Sequence, residues 1–117
     1  MNIAEISTTY KGATILSGAS TTEAIELEHG QSLIGIFHPV MNTSVSFGFE
    51  VSEDGKVYSA LEDGNGAPFN VGFDNSNAGY TPIAYPEIFR GFRFLKITVA
   101  DNQTSNRTLR LAVKPSL

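Results

Sequence analysis

The sequence contains no cysteine and no tryptophan, and only two of its 117 residues are histidine. Without cysteine, neither a disulfide framework nor a thiolate metal cluster can hold the fold or form a reactive centre. His29 and His38 have no neighbouring partner at the spacing of a zinc site or a catalytic triad. Packing must therefore stabilise the fold. The sequence predicts no enzyme, no catalytic residue, no cofactor and no metal ligand.

Long apolar runs and clusters of basic residues are also absent. Uninterrupted apolar stretches are a few residues long, whereas a membrane-spanning helix needs roughly 20. The amino terminus lacks the basic and apolar regions of a signal peptide. Eight basic residues against twelve acidic ones give a net charge of −4. Because binding to phosphates depends on clustered Lys and Arg, we expect no direct nucleic-acid partner and no membrane partner.

The chain does contain about eight short runs in which apolar and polar residues alternate, separated by Gly, Asn, Asp and Pro. The run from Ser44 to Val51 shows the pattern best, and one of its faces carries Val45, Phe47, Phe49 and Val51. This period of two is that of a half-buried strand. The sequence therefore predicts an all-β fold, a two-sheet antiparallel sandwich of jelly-roll type with about eight strands.

The length is that of one domain. Residues 1–11 have little apolar content and are predicted to form an amino-terminal arm or edge strand, and residues 12–117 a single β-sandwich domain. The strongest local signal is the pair Asp54-Gly55, which lies between alternating runs at Ser44–Ser52 and Val57–Leu61. Glycine accepts a positive φ at little cost, so this pair predicts a β-hairpin.

Two loops are rich in side-chain oxygens, at Glu62–Gly66 and Asp74–Asn77. Six to eight such oxygens bind a calcium ion, but Asp, Asn and Gly are also the residues that turns use to bond their own backbone. The turn interpretation is favoured, and calcium binding stays an alternative.

The aromatic residues are mostly phenylalanines at alternating strand positions, which predicts that they lie in the core. Phe92 and Phe94 differ, because the inward face of their strand is assigned to Leu95, Ile97 and Val99. Phe92, Phe94 and Lys96 are thus expected on the outward face, covered by a folded-over loop or by another chain. The residues that could stack on a sugar are Tyr58, Tyr80 and Tyr85.

Several short motifs follow one another in a recognisable order between residues 13 and 114. They include Leu33-Ile34-Gly35-Ile36 before a proline, Phe47–Ser52 running into Asp54-Gly55, and Phe92–Ile97 after Phe89 and Gly91. The set is completed by Tyr58, Leu61, Asp63-Gly64, Tyr80, Ile83, Pro86, Arg107, Leu109 and Leu111. This order resembles a group of small tailed-bacteriophage virion proteins, which are β-sandwiches similar to capsid decoration, or cement, proteins.

The resemblance implies a non-enzymatic protein on the capsid surface of a virion, made in the host cytoplasm, that binds the outside of the assembled shell and stabilises it. The implied partners are the major capsid protein and other copies of this chain in a dimer or trimer. The residues expected to bind them are Ile3, Ile6 and Tyr10 in the arm together with Phe92, Phe94 and Lys96. The alternative is a carbohydrate-binding or adhesive module of a phage tail or virion surface, with a surface glycan as its partner.

Overall fold

The structure is a computed structural model that describes residues 8–28 and 31–115. A 3₁₀ turn lies at Pro86–Phe89, and no helix in the described ranges is long and apolar enough to cross a membrane. The strands are β1 (Thr9–Ile15), β2 (Ile25–Glu26), β3 (Gln31–His38), β4 (Ser46–Ser52), β5 (Ser59–Ala60), β6 (Val71–Gly72), β7 (Gly79–Pro82), β8 (Phe94–Thr98) and β9 (Arg107–Pro115).

The strands form two antiparallel sheets. The four-stranded sheet has the order β1-β9-β3-β7, and the five-stranded sheet has the order β2-β8-β4-β5, with β6 also paired to β4. Since β5 and β6 pair with opposite ends of β4, they act as one interrupted strand. The first strand then lies beside the last, and the second beside the last but one, as in a jelly roll. The predicted all-β sandwich is confirmed.

The core lies between the two sheets. In β9, Leu109, Leu111 and Val113 are fully buried while Arg110 and Lys114 are exposed, as the alternation predicts. The facing strand β8 buries Leu95 and Ile97 in the same way. Each sheet therefore contributes one apolar face, and the opposite face of each sheet is turned outward.

Aromatic rings fill one part of this core. Phe89 of the 3₁₀ turn is completely buried, and its ring meets Phe49 edge-on at 5.0 Å between centroids. Phe69 and Phe92 lie near the same ring at 6.0 and 6.2 Å. Such edge-to-face contacts stabilise beyond the area that they bury. The turn is thereby fixed to the sandwich by its last residue.

The hairpin predicted around Asp54-Gly55 is confirmed, with a wider loop. β4 and β5 pair through Val51 and Ser59, so the loop covers residues 53–58. Gly55 has φ 79°, a conformation that favours glycine. The pKa of Asp54 is lowered because the backbone N–H groups of Lys56 and Val57, and then the Ser52 hydroxyl, donate to its carboxylate. Local hydrogen bonds thus hold the loop.

Val45, in the alternating run from Ser44 to Val51, does not share the buried face with Phe47 and Phe49 as predicted. β4 begins at Ser46, and Val45, which precedes it, is 71% exposed. Phe47 and Phe49 are buried and Val51 is half-buried, as predicted. The alternation of faces holds only while the backbone stays extended within the strand, so the prediction for Val45 was wrong.

A buried glutamine joins loops that lie far apart in the sequence. Gln103 is 1% exposed, and its Oε1 accepts a hydrogen bond from the Asn42 backbone N–H at 2.8 Å. The Gln103 Nε2 donates to the Asp101 carbonyl at 2.9 Å. The backbone N–H of Gln103 donates to the Ala19 carbonyl at 2.8 Å. This one side chain satisfies backbone groups that burial would otherwise leave unpaired.

Candidate functional site

The outward face of the four-stranded sheet carries a group of exposed aromatic side chains. Tyr10 on β1 is 53% exposed, Phe37 on β3 36% and Tyr80 on β7 42%. Arg110 on β9 is exposed between them. We call these four residues the aromatic face. Each of the four strands supplies one member.

The strand register brings these residues together from distant parts of the sequence. Gly12 pairs with Arg110, Arg110 with Phe37, and Phe37 with Tyr80, which forms one row across the sheet. Tyr10 pairs with Ala112, one step along β9 on the same face. Residues paired across neighbouring strands project to the same side of a sheet. The row therefore faces outward as one surface.

The members of the aromatic face contact one another. The ring centroids of Phe37 and Tyr80 are 4.4 Å apart, and those of Tyr10 and Phe37 are 6.1 Å apart. The guanidinium carbon of Arg110 lies 5.0 Å from the centroid of Tyr10 and 5.0 Å from that of Phe37. These distances are within the range of cation–π attraction. The arginine is thus held between two rings with its edge open to solvent.

Small residues beneath the rings let them lie across the sheet. A Cβ atom at Gly35 would overlap the end of the Tyr80 ring, and the Tyr80 hydroxyl is 3.5 Å from the Ile34 carbonyl. Ala112 faces outward but is only 2% exposed, so neighbouring side chains cover it. On the other flank of Arg110, a Cβ at Gly12 would meet no atom within 4 Å. The result is a broad, open surface.

Replacing Gly35 with alanine is expected to turn Tyr80 away from the sheet while the fold is kept. The atoms in the way belong to the end of the Tyr80 side chain, which can move by changing rotamer. We expect the free energy of unfolding to fall by about 1 kcal/mol, because the ring contact between Tyr80 and Phe37 is lost. NMR cross-peaks between the Tyr80 ring and residues 34–35 should disappear. If they persist with unchanged shifts, the ring does not rest on Gly35.

The four-stranded sheet differs in charge from the rest of the chain. None of its strands contains Asp or Glu, although the chain has twelve acidic residues. Its basic residues are Lys11, Arg107, Arg110 and Lys114. An open depression of about 460 Å³ lies on this face, and Phe37, Tyr80, Thr108 and Arg110 line it. A locally basic, aromatic surface thus stands on an acidic protein.

The structure places the predicted arm residues as far as it describes them. Ile3 and Ile6 lie outside the described residues. Tyr10 belongs to β1, which starts at Thr9, inside the range assigned to the arm. It is part of the aromatic face.

Phe92 does not share an outward face with Phe94 and Lys96. It is half-buried and packs against the core, with its ring near Phe89. The reason is that β8 begins at Phe94, so the alternation does not extend back to residue 92.

Phe94 and Lys96 do point away from the core, but the loop of residues 53–58 folds over them. Gly55 lies directly against the Phe94 ring, and the ammonium of Lys96 is 4.2 Å from the centroid of the Tyr58 ring. Both residues are half-buried. The sequence allowed either a folded-over loop or another chain to cover these residues. In the structure, the loop of residues 53–58 covers them.

The three tyrosines considered for sugar stacking have different surroundings. Tyr58 is half-buried beside Lys96, and Tyr85 is 65% exposed beside the 3₁₀ turn. Tyr80 alone of these belongs to the aromatic face. Sequence analysis missed Phe37, because an almost continuous apolar run in β3 does not reveal which residues face outward.

The two oxygen-rich loops hold their carboxylates in local turns. Asp63 accepts hydrogen bonds from the Asn65 and Ala67 N–H groups. The pKa of Asp74 is lowered, because first the Asn77 side chain and then the Ser76 backbone N–H donate to it. In the described ranges no three His, Cys, Asp or Glu residues come together as metal ligands. The Asp63 and Asp74 carboxylates therefore accept hydrogen bonds from their own loops, as the turn interpretation proposes.

No family model and no curated protein matches this chain. Among solved structures, the chain is similar to the crystal structure of Drosophila NLP-core, with 9% identity and a TM-score of 0.37. The alignment covers 92% of this chain and 98% of that one. That structure is described as giving insight into pentamer formation and histone binding. Nothing about the function of the present chain follows from it.

Proposed function

We propose that this chain is a non-enzymatic decoration, or cement, protein of a tailed bacteriophage. It binds the major capsid protein on the outside of the assembled shell and stabilises that shell. It acts on the virion surface as a dimer or trimer after synthesis in the host cytoplasm. The ordered motifs between residues 13 and 114 support this proposal through their resemblance to virion proteins.

The observation that carries the proposal is the outer edge of β1, with which no strand in the described ranges pairs. The Thr14 backbone N–H points away from β9, since its two nearest acceptors are the Glu23 carboxylate oxygens, at 3.2 Å. Alternate residues of an edge strand direct their backbone groups to the same side, so Gly12 and Tyr10 also face outward. An extended segment of a neighbouring protein can pair with such an edge.

Binding of this kind stabilises a shell by mass action. A protein that prefers the assembled shell to separate subunits lowers the free energy of the assembled state. Each contact can be weak, because symmetry repeats it and a small oligomer engages several sites together. A rigid sandwich suits this role, since it loses little conformational entropy on docking.

A pair of substitutions at Gly12 tests the proposal on shells of the parent phage assembled without this protein. Gly12→Pro removes the outward N–H, and proline is tolerated at an edge strand whose N–H faces solvent. We expect the affinity for shells to fall by about tenfold or more, the effect of losing a hydrogen bond and leaving its acceptor unpaired. Sedimentation with the shells measures it.

The matched control is Gly12→Ala, which keeps the N–H and puts its methyl group in open space. It should bind the shells as the unchanged protein does. Equal binding by both variants would exclude the β1 edge as the docking site. If the unchanged protein adds no density to the shells in electron microscopy, the decoration function itself is wrong.

The alternative function, a carbohydrate-binding or adhesive module, is favoured by a separate observation. Tyr80, one of the residues considered for sugar stacking, lies beside Phe37 and Arg110 at an open depression. Exposed rings on a rigid sheet can pack against the apolar face of a sugar ring. This face offers side chains and the β1 edge offers backbone groups, and the two surfaces meet at Tyr10.

A further inference from the structure

We propose that the aromatic face binds an acidic polysaccharide. Sugar rings stack on Tyr10, Phe37 and Tyr80, and a sugar carboxylate pairs with Arg110. This inference rests on the carbohydrate-binding alternative and adds the chemical class of the ligand. It does not depend on capsid binding.

The shape of the face favours a flat ligand. The rings lie across the sheet above Gly35 and beside the covered Ala112, and the depression next to them is open. Anchor side chains of a protein partner bind best in enclosed, fully desolvated pockets. A sugar ring instead presents a flat C–H face, which packs on the electron-rich face of an aromatic ring.

The charge of the face favours an anion. Arg110 and Lys114 are its outward basic residues, and the four strands themselves contain no carboxylate, although the Glu23 carboxylate lies beside Thr14 at the β1 edge. The rest of the chain carries all twelve acidic residues. An anionic ligand is therefore attracted to Arg110 and Lys114 on this face.

Arg110 is already arranged to receive a carboxylate. Two rings hold its guanidinium, each with its centroid at 5.0 Å from the guanidinium carbon, so little side-chain freedom is lost on binding. The planar guanidinium offers paired N–H donors that match the two carboxylate oxygens. Gly12, its neighbour on β1, leaves room on one flank.

Hydroxyl groups lie next along the same face. Thr14 and Thr108 are cross-strand neighbours whose Oγ1 atoms are 3.2 Å apart. Thr108 also lines the depression with Arg110. Hydroxyls both donate and accept hydrogen bonds, which suits the hydroxyls of a sugar. The face thus combines stacking rings, a fixed cation and adaptable polar groups.

The test compares two ligands with the same sugar backbone, one with charged carboxylates and one with neutral methyl esters. Isothermal titration of the purified protein uses a galacturonic-acid hexamer and the same hexamer with its carboxylates methyl-esterified. We expect the acid to bind about tenfold or more tightly than the ester, with a difference that shrinks at high salt. A glycan array with neutral and acidic sugars is run in parallel.

Matched variants test whether the preference for the acid depends on the aromatic face. Arg110→Gln should remove the preference for the acid, and Arg110→Lys should restore part of it, because lysine keeps the charge without the planar donors. Arg93→Gln changes the net charge equally on the other sheet, where Arg93 pairs with Glu26, and should leave binding unchanged. Tyr80→Ala should weaken both ligands, whereas Tyr85→Ala should weaken neither.

Each outcome has one meaning. Equal affinity for acid and ester overturns the acidic ligand but leaves carbohydrate binding in place. A preference for the acid that survives Arg110→Gln overturns the pairing of the sugar carboxylate with Arg110. An array with no bound sugar overturns carbohydrate binding and this inference together. Tighter binding to a single-stranded oligonucleotide or an acidic peptide than to the hexamer would assign the face to that class of ligand and overturn the proposal.

Discussion

Replacing Phe89 with alanine is expected to lower the free energy of unfolding by about 3–5 kcal/mol. Phe89 is completely buried, and the rings of Phe49, Phe69 and Phe92 surround it. Alanine would leave a cavity that these rings cannot fill without giving up their edge-to-face contacts. Since a domain of this kind is stable by about 5–15 kcal/mol, the loss is a large share of the total.

Urea denaturation followed by circular dichroism measures this effect. The matched control is Phe37→Ala, which removes the same side chain from the aromatic face, where it is 36% exposed. We expect that change to cost about 1 kcal/mol, mostly from lost ring contacts. If the two substitutions cost the same, Phe89 does not lie in a packed core.

Replacing Gln103 with leucine is expected to cost about 2–4 kcal/mol, although leucine is apolar and similar in size. The substitution removes the acceptor of the Asn42 N–H and the donor to the Asp101 carbonyl. Both backbone groups would then lack a partner in a place where water has little access. Leaving a buried polar group without a partner costs more free energy than a typical hydrogen bond contributes to stability.

Two further variants show whether the effect comes from burial and hydrogen bonding. Gln31→Leu removes a side-chain acceptor from the Glu28 N–H at an exposed turn, and should cost below about 1 kcal/mol. Gln103→Glu keeps an acceptor and can donate only when protonated. Burial raises the pKa of such a carboxyl, so this variant should approach the unchanged protein in stability as the pH falls. A loss for Gln103→Glu that does not vary with pH would contradict this account.

The strands themselves could be predicted because each leaves a local signal. In β9, alternating burial of Leu109 and Leu111 against Arg110 follows directly from the order of residues. The same rule failed for Val45 and Phe92, and for one reason. Each lies just outside a strand, where the backbone is no longer extended and the alternation stops.

The aromatic face could not be predicted, because it depends on strand register. Tyr10 and Arg110 are a hundred residues apart in the sequence, and pairing of β1 with β9 makes them neighbours. Phe37 lies in a strand that is apolar on both faces, so its direction carried no local signal. One clue was present in Gly35, since glycine inside a strand often marks a close approach of another group.

The position of β9 has a consequence for how this protein is made. Of the four strands in its sheet, β9 is synthesised last, yet it lies inside that sheet, between β1 and β3. Until it emerges, those two strands have no common neighbour, and the backbone groups that would pair with β9 stay unpaired. The nascent chain therefore cannot complete either its core or its outer surface until β9 has been synthesised, and a fragment that ends before β9 would be prone to aggregate.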